Sequence, residues 1–160
     1  MFIVGDKIVY PMQGAGTIEA IEEREFSGEV QKYYIVLITH NKLKIMIPES
    51  KIQSSHLRRI SDEDTLISIL QKVNSSDLSL TEFPSLKERN EFLNSKIKSG
   101  SLRENAEVVL ALTTINITKK LNSTEKQILD KARKLVEGEV CLIRDISQLQ
   151  ASMLIKNALH

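Results

Sequence analysis

Tryptophan is absent, and aromatic residues make up only 4% of the chain. All three tyrosines lie within the first 34 residues, so the remainder has few rings on which to stack unpaired bases, and a single-strand-binding role is disfavoured. One cysteine, Cys141, excludes an internal disulfide. It sits in the apolar run Val140-Cys141-Leu142-Ile143, which suits a packed thiol, and no base for a nucleophile can be placed beside it. His40, His56 and His160 are widely separated and lack the i, i+4 spacing of a helical metal pair, so no metal or other cofactor is expected. Three prolines and six glycines are too few for a fibrous or disordered chain. Neither sign of charge dominates: 22 Lys and Arg against 21 Asp and Glu leave +1, which gives no global attraction to nucleic acid or lipid. Any such binding must come from a local patch. No stretch approaches the roughly 20 apolar residues of a membrane span. The start, Met1-Phe2-Ile3-Val4-Gly5-Asp6, lacks the basic region and long apolar run of a signal peptide, which makes cytoplasm the expected compartment. Gly-x-Ser-x-Gly does not occur, and Gly14-Ala15-Gly16 lacks the third glycine and the helix of a dinucleotide fingerprint. It reads as a strand-to-strand turn, and no enzyme is expected.

What the chain does contain is a change of period. With 160 residues, 41% hydrophobic and 27% charged, it can bury one or two ordinary cores. Strand signals fill the first 59 residues. Phe2-Ile3-Val4 and Lys7-Ile8-Val9-Tyr10 lead to Pro11, and Thr17 to Ile21 follows the glycines. Ser27-Gly28-Glu29 marks a hairpin before Tyr33-Tyr34-Ile35-Val36-Leu37-Ile38, an unbroken run that suits a central strand buried on both faces. Leu43, Ile45 and Ile47 then alternate with Lys42, Lys44 and Met46 up to Pro48, the period-2 pattern of a strand with one wet face. Five short strands predict a strongly bent sheet or small SH3-like barrel.

From Ser61 the period becomes helical. Ser61-Asp62-Glu63-Asp64 opens a helix with Leu66, Ile69, Leu70 and Val73 on one stripe, and Asn74-Ser75-Ser76-Asp77 ends it. Pro84, at a first helical position, opens the next segment, which carries Leu86, Leu93 and Ile97. Ser101 with Glu104, and Asn122 with Glu125, form capping boxes for two more helices. The first of these runs from Leu102 to Ile117, apolar nearly all round, and is expected to be the central one. The second runs on through Gly138 to Ile143, and Asp145 or Ser147 starts a last helix. The fold class is therefore α+β: a β domain over residues 1–59 and a bundle of about five helices over 60–160.

Two recognition surfaces stand out. The strand Lys42 to Ile47, with Lys44 and Met46 wet and Arg24 nearby, is either an ordinary solvated margin or a place where a partner adds a strand. The other surface is electrostatic. Lys87, Arg89, Lys96, Lys98 and Arg103 face only Glu88 and Glu91 in their segment, a local balance of +3, and residues 119–134 carry +4. Such segregation lets one face of a neutral protein neutralise several phosphates, or it is a solvated face.

Val4-Gly5-Asp6-Lys7-Ile8-Val9-Tyr10-Pro11-Met12-Gln13-Gly14-Ala15-Gly16, with Ile18 to Glu22, Lys32-Tyr33-Tyr34 and Met46-Ile47-Pro48, resembles the CarD/CdnL family of bacterial transcription regulators. Lys96-Ile97-Lys98-Ser99-Gly100, Ala106-Glu107-Val108-Val109 and Glu125-Lys126 with Lys131-Ala132-Arg133 match the family's later blocks in order and spacing. The resemblance implies a Tudor-like N-terminal domain that docks its edge strand on the RNA polymerase β subunit. It also implies a helical domain that contacts promoter DNA at the upstream edge of the melted region and stabilises the open complex, notably at ribosomal RNA promoters. Polymerase-contacting positions map onto Arg24 and Met46, where some members have Arg, with Lys44 and Ile45 on the same strand. Many members place a Trp wedge where this chain has Leu86, beside Lys87 and Arg89; the remaining basic residues Lys96, Lys98 and Arg103 extend that DNA surface. An alternative is an RNA- or ribosome-associated module, because Gly5-Asp6-Lys7-Ile8-Val9 and Gly14-Ala15-Gly16 also echo the small barrels of KOW type.

Overall fold

The β-branched alternation of the first 59 residues produces one antiparallel sheet. In the computed structural model, which describes residues 1–76, 80 and 82–160, the strands are β1 (Lys7–Tyr10), β2 (Gly14–Phe26), β3 (Glu29–Ile38), β4 (Lys44–Pro48) and β5 (Arg58–Arg59). Their order is β4-β3-β2-β1-β5, an open sheet with β4 and β5 at its margins. Five helices follow, so the α+β class stands: α1 (Glu63–Ser75), α2 (Leu86–Lys98), α3 (Leu102–Thr118), α4 (Ser123–Arg144) and α5 (Gln148–Ala158).

The sheet departs from expectation at both ends of its first strands. Phe2 to Val4 form no strand. Instead Asp6 N–H bonds Ile3 C=O (3.1 Å), the Asp6 carboxylate accepts from Ile3 N–H (2.9 Å), and Gly5 takes φ 93°, so this segment satisfies its backbone as a turn. The fifth strand is Arg58–Arg59, paired with β1. Gly14-Ala15-Gly16 is not the turn either. Pro11 to Gln13 turn the chain, with Met12 at φ 74°, and the glycines begin β2. A Cβ on Gly16 would lie 2.6 Å from the Leu37 carbonyl oxygen, so the residue allows β2 and β3 to approach. The hairpin at Ser27-Gly28 forms as the sequence predicts, with φ 53° and 82° at its two central residues, the geometry that matches strand twist. Ile8, Ile18, Tyr34, Val36, Ile38 and Ile47 fill the sheet's inner face, and Ile35 is buried from the other side.

Helix starts follow side-chain chemistry. Asp62, rather than Ser61, caps α1 by accepting from Thr65 N–H (2.7 Å); the Thr65 hydroxyl and this N–H together hold its carboxyl below the usual range. Ser85 caps α2, which leaves Pro84 outside the helix. Asn122 and Glu125 form the full reciprocal box at α4, as do Ser147 and Gln150 at α5. At α3 only half of the box exists: Ser101 Oγ accepts from Glu104 N–H, but Ser101 N–H donates to Ser99 Oγ, which displaces the Glu104 side chain. Helix α1 ends at Ser75; Asp77, the last residue of the expected break, lies outside the described residues.

Helix α4, not α3, is central. It lies against α1, α2, α3, α5 and β2, whereas α3 emerges from the core at its C-terminal end, leaving Ile117 80% exposed. The reason is the contact with the sheet: Gly138 sets α4 beside Ala15, and Leu135 lies over Gly14. Two apolar clusters result, one within the sheet and one among the helices. They are joined by polar contacts. Arg58 grips Glu139 through two hydrogen bonds (2.7 and 2.9 Å) and also donates twice to Gly100 C=O (2.9 and 3.1 Å). Glu139 accepts a third bond from Ser61 N–H (2.9 Å).

Candidate partner and nucleic-acid interfaces

The margin at β4 follows from the register. Ile38 N–H donates to Leu43 C=O (2.8 Å), and the antiparallel alternation from there makes Val36–Ile45 and Tyr34–Ile47 the hydrogen-bonded pairs. The N–H and C=O groups of Lys44 and Met46 therefore point away from the sheet, towards solvent. Pro48, with no N–H, ends this free ladder. The Ile45 side chain packs on the inner cluster, while Lys44 and Met46 project from the outer face. There Lys44 reaches Glu19 (3.4 Å), a residue displaced by the bulge between Ile18 and Ala20.

Arg24 occupies the same outer face but is not adjacent to Met46. Met46, Ile35 and Ala20 form one cross-strand row, and Arg24 lies four positions further along β2, about 13 Å at strand rise. Tyr33 and Phe26, stacked edge to face at 6.1 Å, fill the interval towards the hairpin tip. Arg24 is half exposed and, among the described residues, tied only to Glu22 (3.0 Å). The outer face thus presents Met46, Tyr33 and Phe26 between two basic side chains.

Among the helices, the basic residues separate into engaged and free. Arg89 is paired with the buried Glu125, so it fastens the start of α2 to the start of α4. Lys96 bonds Glu107 (3.2 Å), joining α2 to α3, and Arg103 lies 3.5 Å from the same carboxylate while remaining half exposed. Lys87 and Lys98 are exposed and make no ion pair among the described residues. Leu86, the first residue of α2, is 53% exposed and is absent from the apolar cluster of the helices. Its neighbours are informative: Leu86 borders a groove of about 190 Å³ that Lys119 and Lys120, between α3 and α4, also line. Along the chain Lys119 and Lys120 belong to a basic run more than 30 positions from Leu86, and the α3–α4 connection brings them beside it.

Residues 2–61 match the family described as "CarD-like/TRCF RID domain" and residues 67–156 the one described as "CarD, C-terminal domain". The chain belongs to the CarD family. The Bacillus subtilis (strain 168) protein named "Putative transcription factor YdeB" is 41% identical over 152 residues, covering 94% of this chain and 97% of that protein. This CarD-family chain is accordingly a transcription regulator, of a family of transcription factors rather than enzymes, and its front half is of a type that interacts with RNA polymerase. No helix among the described residues of this CarD-family chain is long and apolar enough to cross a membrane.

Proposed function

We propose that residues 1–59 dock on the β subunit of RNA polymerase through the free margin of β4, and that residues 60–160 hold promoter DNA at the upstream edge of the transcription bubble, in the cytoplasm. The observation that carries this reading is the outward row of unpaired backbone groups at Lys44 and Met46, on a sheet whose family match is polymerase-interacting. A strand of the β subunit would pair along it. Lys44, Met46 and Arg24 would then read side chains on the outer face, with Ile45 anchoring β4 to the inner cluster.

Docking would raise the effective concentration of a weak DNA-binding part at the promoter. Leu86 offers an apolar wedge for a widened minor groove, with the exposed Lys87 and Lys98 to neutralise phosphates and Arg103, half exposed beside Glu107, within the same basic segment. Arg89 and Lys96 would act by holding α2 in place, since their charges are committed to Glu125 and Glu107. Contacts made only after melting favour the open complex, and about 1.4 kcal/mol shifts that equilibrium tenfold. Ribosomal RNA promoters are the proposed principal targets. The test is open-complex lifetime on such a promoter with and without the protein, alongside capture of polymerase. A lengthened lifetime and recovery of the β subunit support the reading; recovery of ribosomal particles without the β subunit would instead favour an RNA-associated module.

A further inference from the structure

We infer that the cavity between α3, α4 and α5 binds a small organic phosphate monoester. The cavity measures about 300 Å³, at the lower end of the range for small-molecule sites. Two cations line it, Arg133 from α4 and Lys156 from α5, together with the hydroxyls of Thr113 and Ser152. Val109 and Ile155, both buried, form its floor.

Several basic residues of the helices are already committed: Arg89, Lys96, Lys134 and Arg144 are each bonded to a carboxylate. Arg133 and Lys156 make no ion pair among the described residues, although both border the same cavity. Three acidic or basic groups of α4 lie close by. Asp130 is committed to Lys134 (2.9 Å), which leaves Glu137. Glu137 is buried one turn beyond Arg133; burial pushes its carboxyl pKa up, against the opposing pull of Ser152 and Arg133.

A phosphate monoester matches this set on three counts. Its double charge balances one guanidinium and one ammonium, its oxygens accept from a guanidinium fork, and the two hydroxyls satisfy those that remain. The apolar floor calls for a compact hydrocarbon or ring beyond the phosphate. A bound molecule would bridge three helices and so stabilise the helical part without touching β4 or the groove at Leu86, with which the cavity shares no residue. The inference is thus independent of polymerase docking.

Titration of the full chain with phenyl phosphate, followed by calorimetry and by backbone NMR shifts, tests it. Saturable one-site binding at or below about 1 mM is expected, with shifts centred on Val109, Ser152 and Ile155. Arg133→Gln and Lys156→Gln should each weaken binding at least about tenfold, roughly the loss of one charge-assisted bond. Both side chains are solvent-accessible, and circular dichroism verifies that each variant is folded. Absence of saturation, or equal binding by both folded variants, overturns the assignment. Inorganic phosphate binding as tightly as phenyl phosphate overturns the organic class.

Discussion

Arg58 and Glu139 form the joint between sheet and helices: a guanidinium from β5 meets a carboxylate on α4 that is only 2% exposed, at 2.7 and 2.9 Å. The two residues are 81 positions apart in the chain. Because Arg58 also binds Gly100 C=O and Glu139 also binds Ser61 N–H, a single pair ties β5, the α2–α3 turn and the approach to α1 to the central helix. It acts alongside the packing of α4 on Gly14 and Ala15 of β2.

Arg58→Ala leaves Glu139 buried without its cation. Loss of one partner of such a pair costs about 3–5 kcal/mol, and the lower end applies because Arg58 is about a third exposed. Urea unfolding of the variant measures this. A change below about 1 kcal/mol would mean that the joint is not held by this pair.

Met46→Pro tests strand addition directly. Its N–H points away from β3, so proline removes a donor that only a partner uses. Stability should stay within about 1 kcal/mol of the parent while affinity for the polymerase β subunit falls sharply. Arg24→Glu should also weaken that affinity with the fold intact. Unchanged binding by both variants places the docking surface elsewhere.

Leu86→Ala removes exposed apolar surface from the groove shared with Lys119 and Lys120. Losing about 1 kcal/mol of contact to melted DNA would shorten the open-complex lifetime roughly fivefold. Binding to polymerase without DNA should not change. A promoter lifetime equal to that of the parent protein removes Leu86 from the DNA contact.

His40 gives the junction a pH dependence. Its Nε2–H donates to Gln13 C=O (3.1 Å), and a Cβ on Gly14 would lie 3.2 Å from its ring. Burial holds its pKa below the ordinary 6.5, and Lys131 and Lys134 of α4 add to the effect. As pH falls below about 6.5, the unfolded chain takes up a proton that the folded chain resists, so this contribution is complete above that pH and declines beneath it. His40→Gln keeps a donor and should flatten the decline in urea-unfolding free energy between about pH 7 and 5. Glu137, with its pKa raised by burial, contributes in the opposite sense, losing its share as pH rises; the difference between parent and variant isolates His40.

Gly16→Ala would put a methyl 2.6 Å from the Leu37 carbonyl oxygen. Either β2 and β3 separate or the bulge after Ile18 shifts, and about 1–3 kcal/mol of destabilisation is expected from overpacking. Thermal unfolding measures it; a variant as stable as the parent would show that the hairpin yields there.

Periodicity and local chemistry were enough to read most elements. The β-branched alternation of β4, the turn at Ser27-Gly28 and the capping pair Asn122 and Glu125 each depend on residues within a few positions, so the chain declares them wherever it is read. The same locality misled at Phe2 to Val4, where Asp6 captures the backbone that a strand would have used, and at Pro84, where Ser85 is the better cap. Tertiary structure alone decided which charges are spent. Arg89 and Lys96 look like Lys87 and Lys98 in sequence, but helix packing brings the buried Glu125 to Arg89, the partly buried Glu107 to Lys96, and solvent to the second pair. It likewise made α4 rather than α3 the axis, joined Arg58 to Glu139, and set Lys119 beside Leu86. These relationships link residues far apart along the chain, and no local propensity encodes a distance that only packing of the whole chain can close.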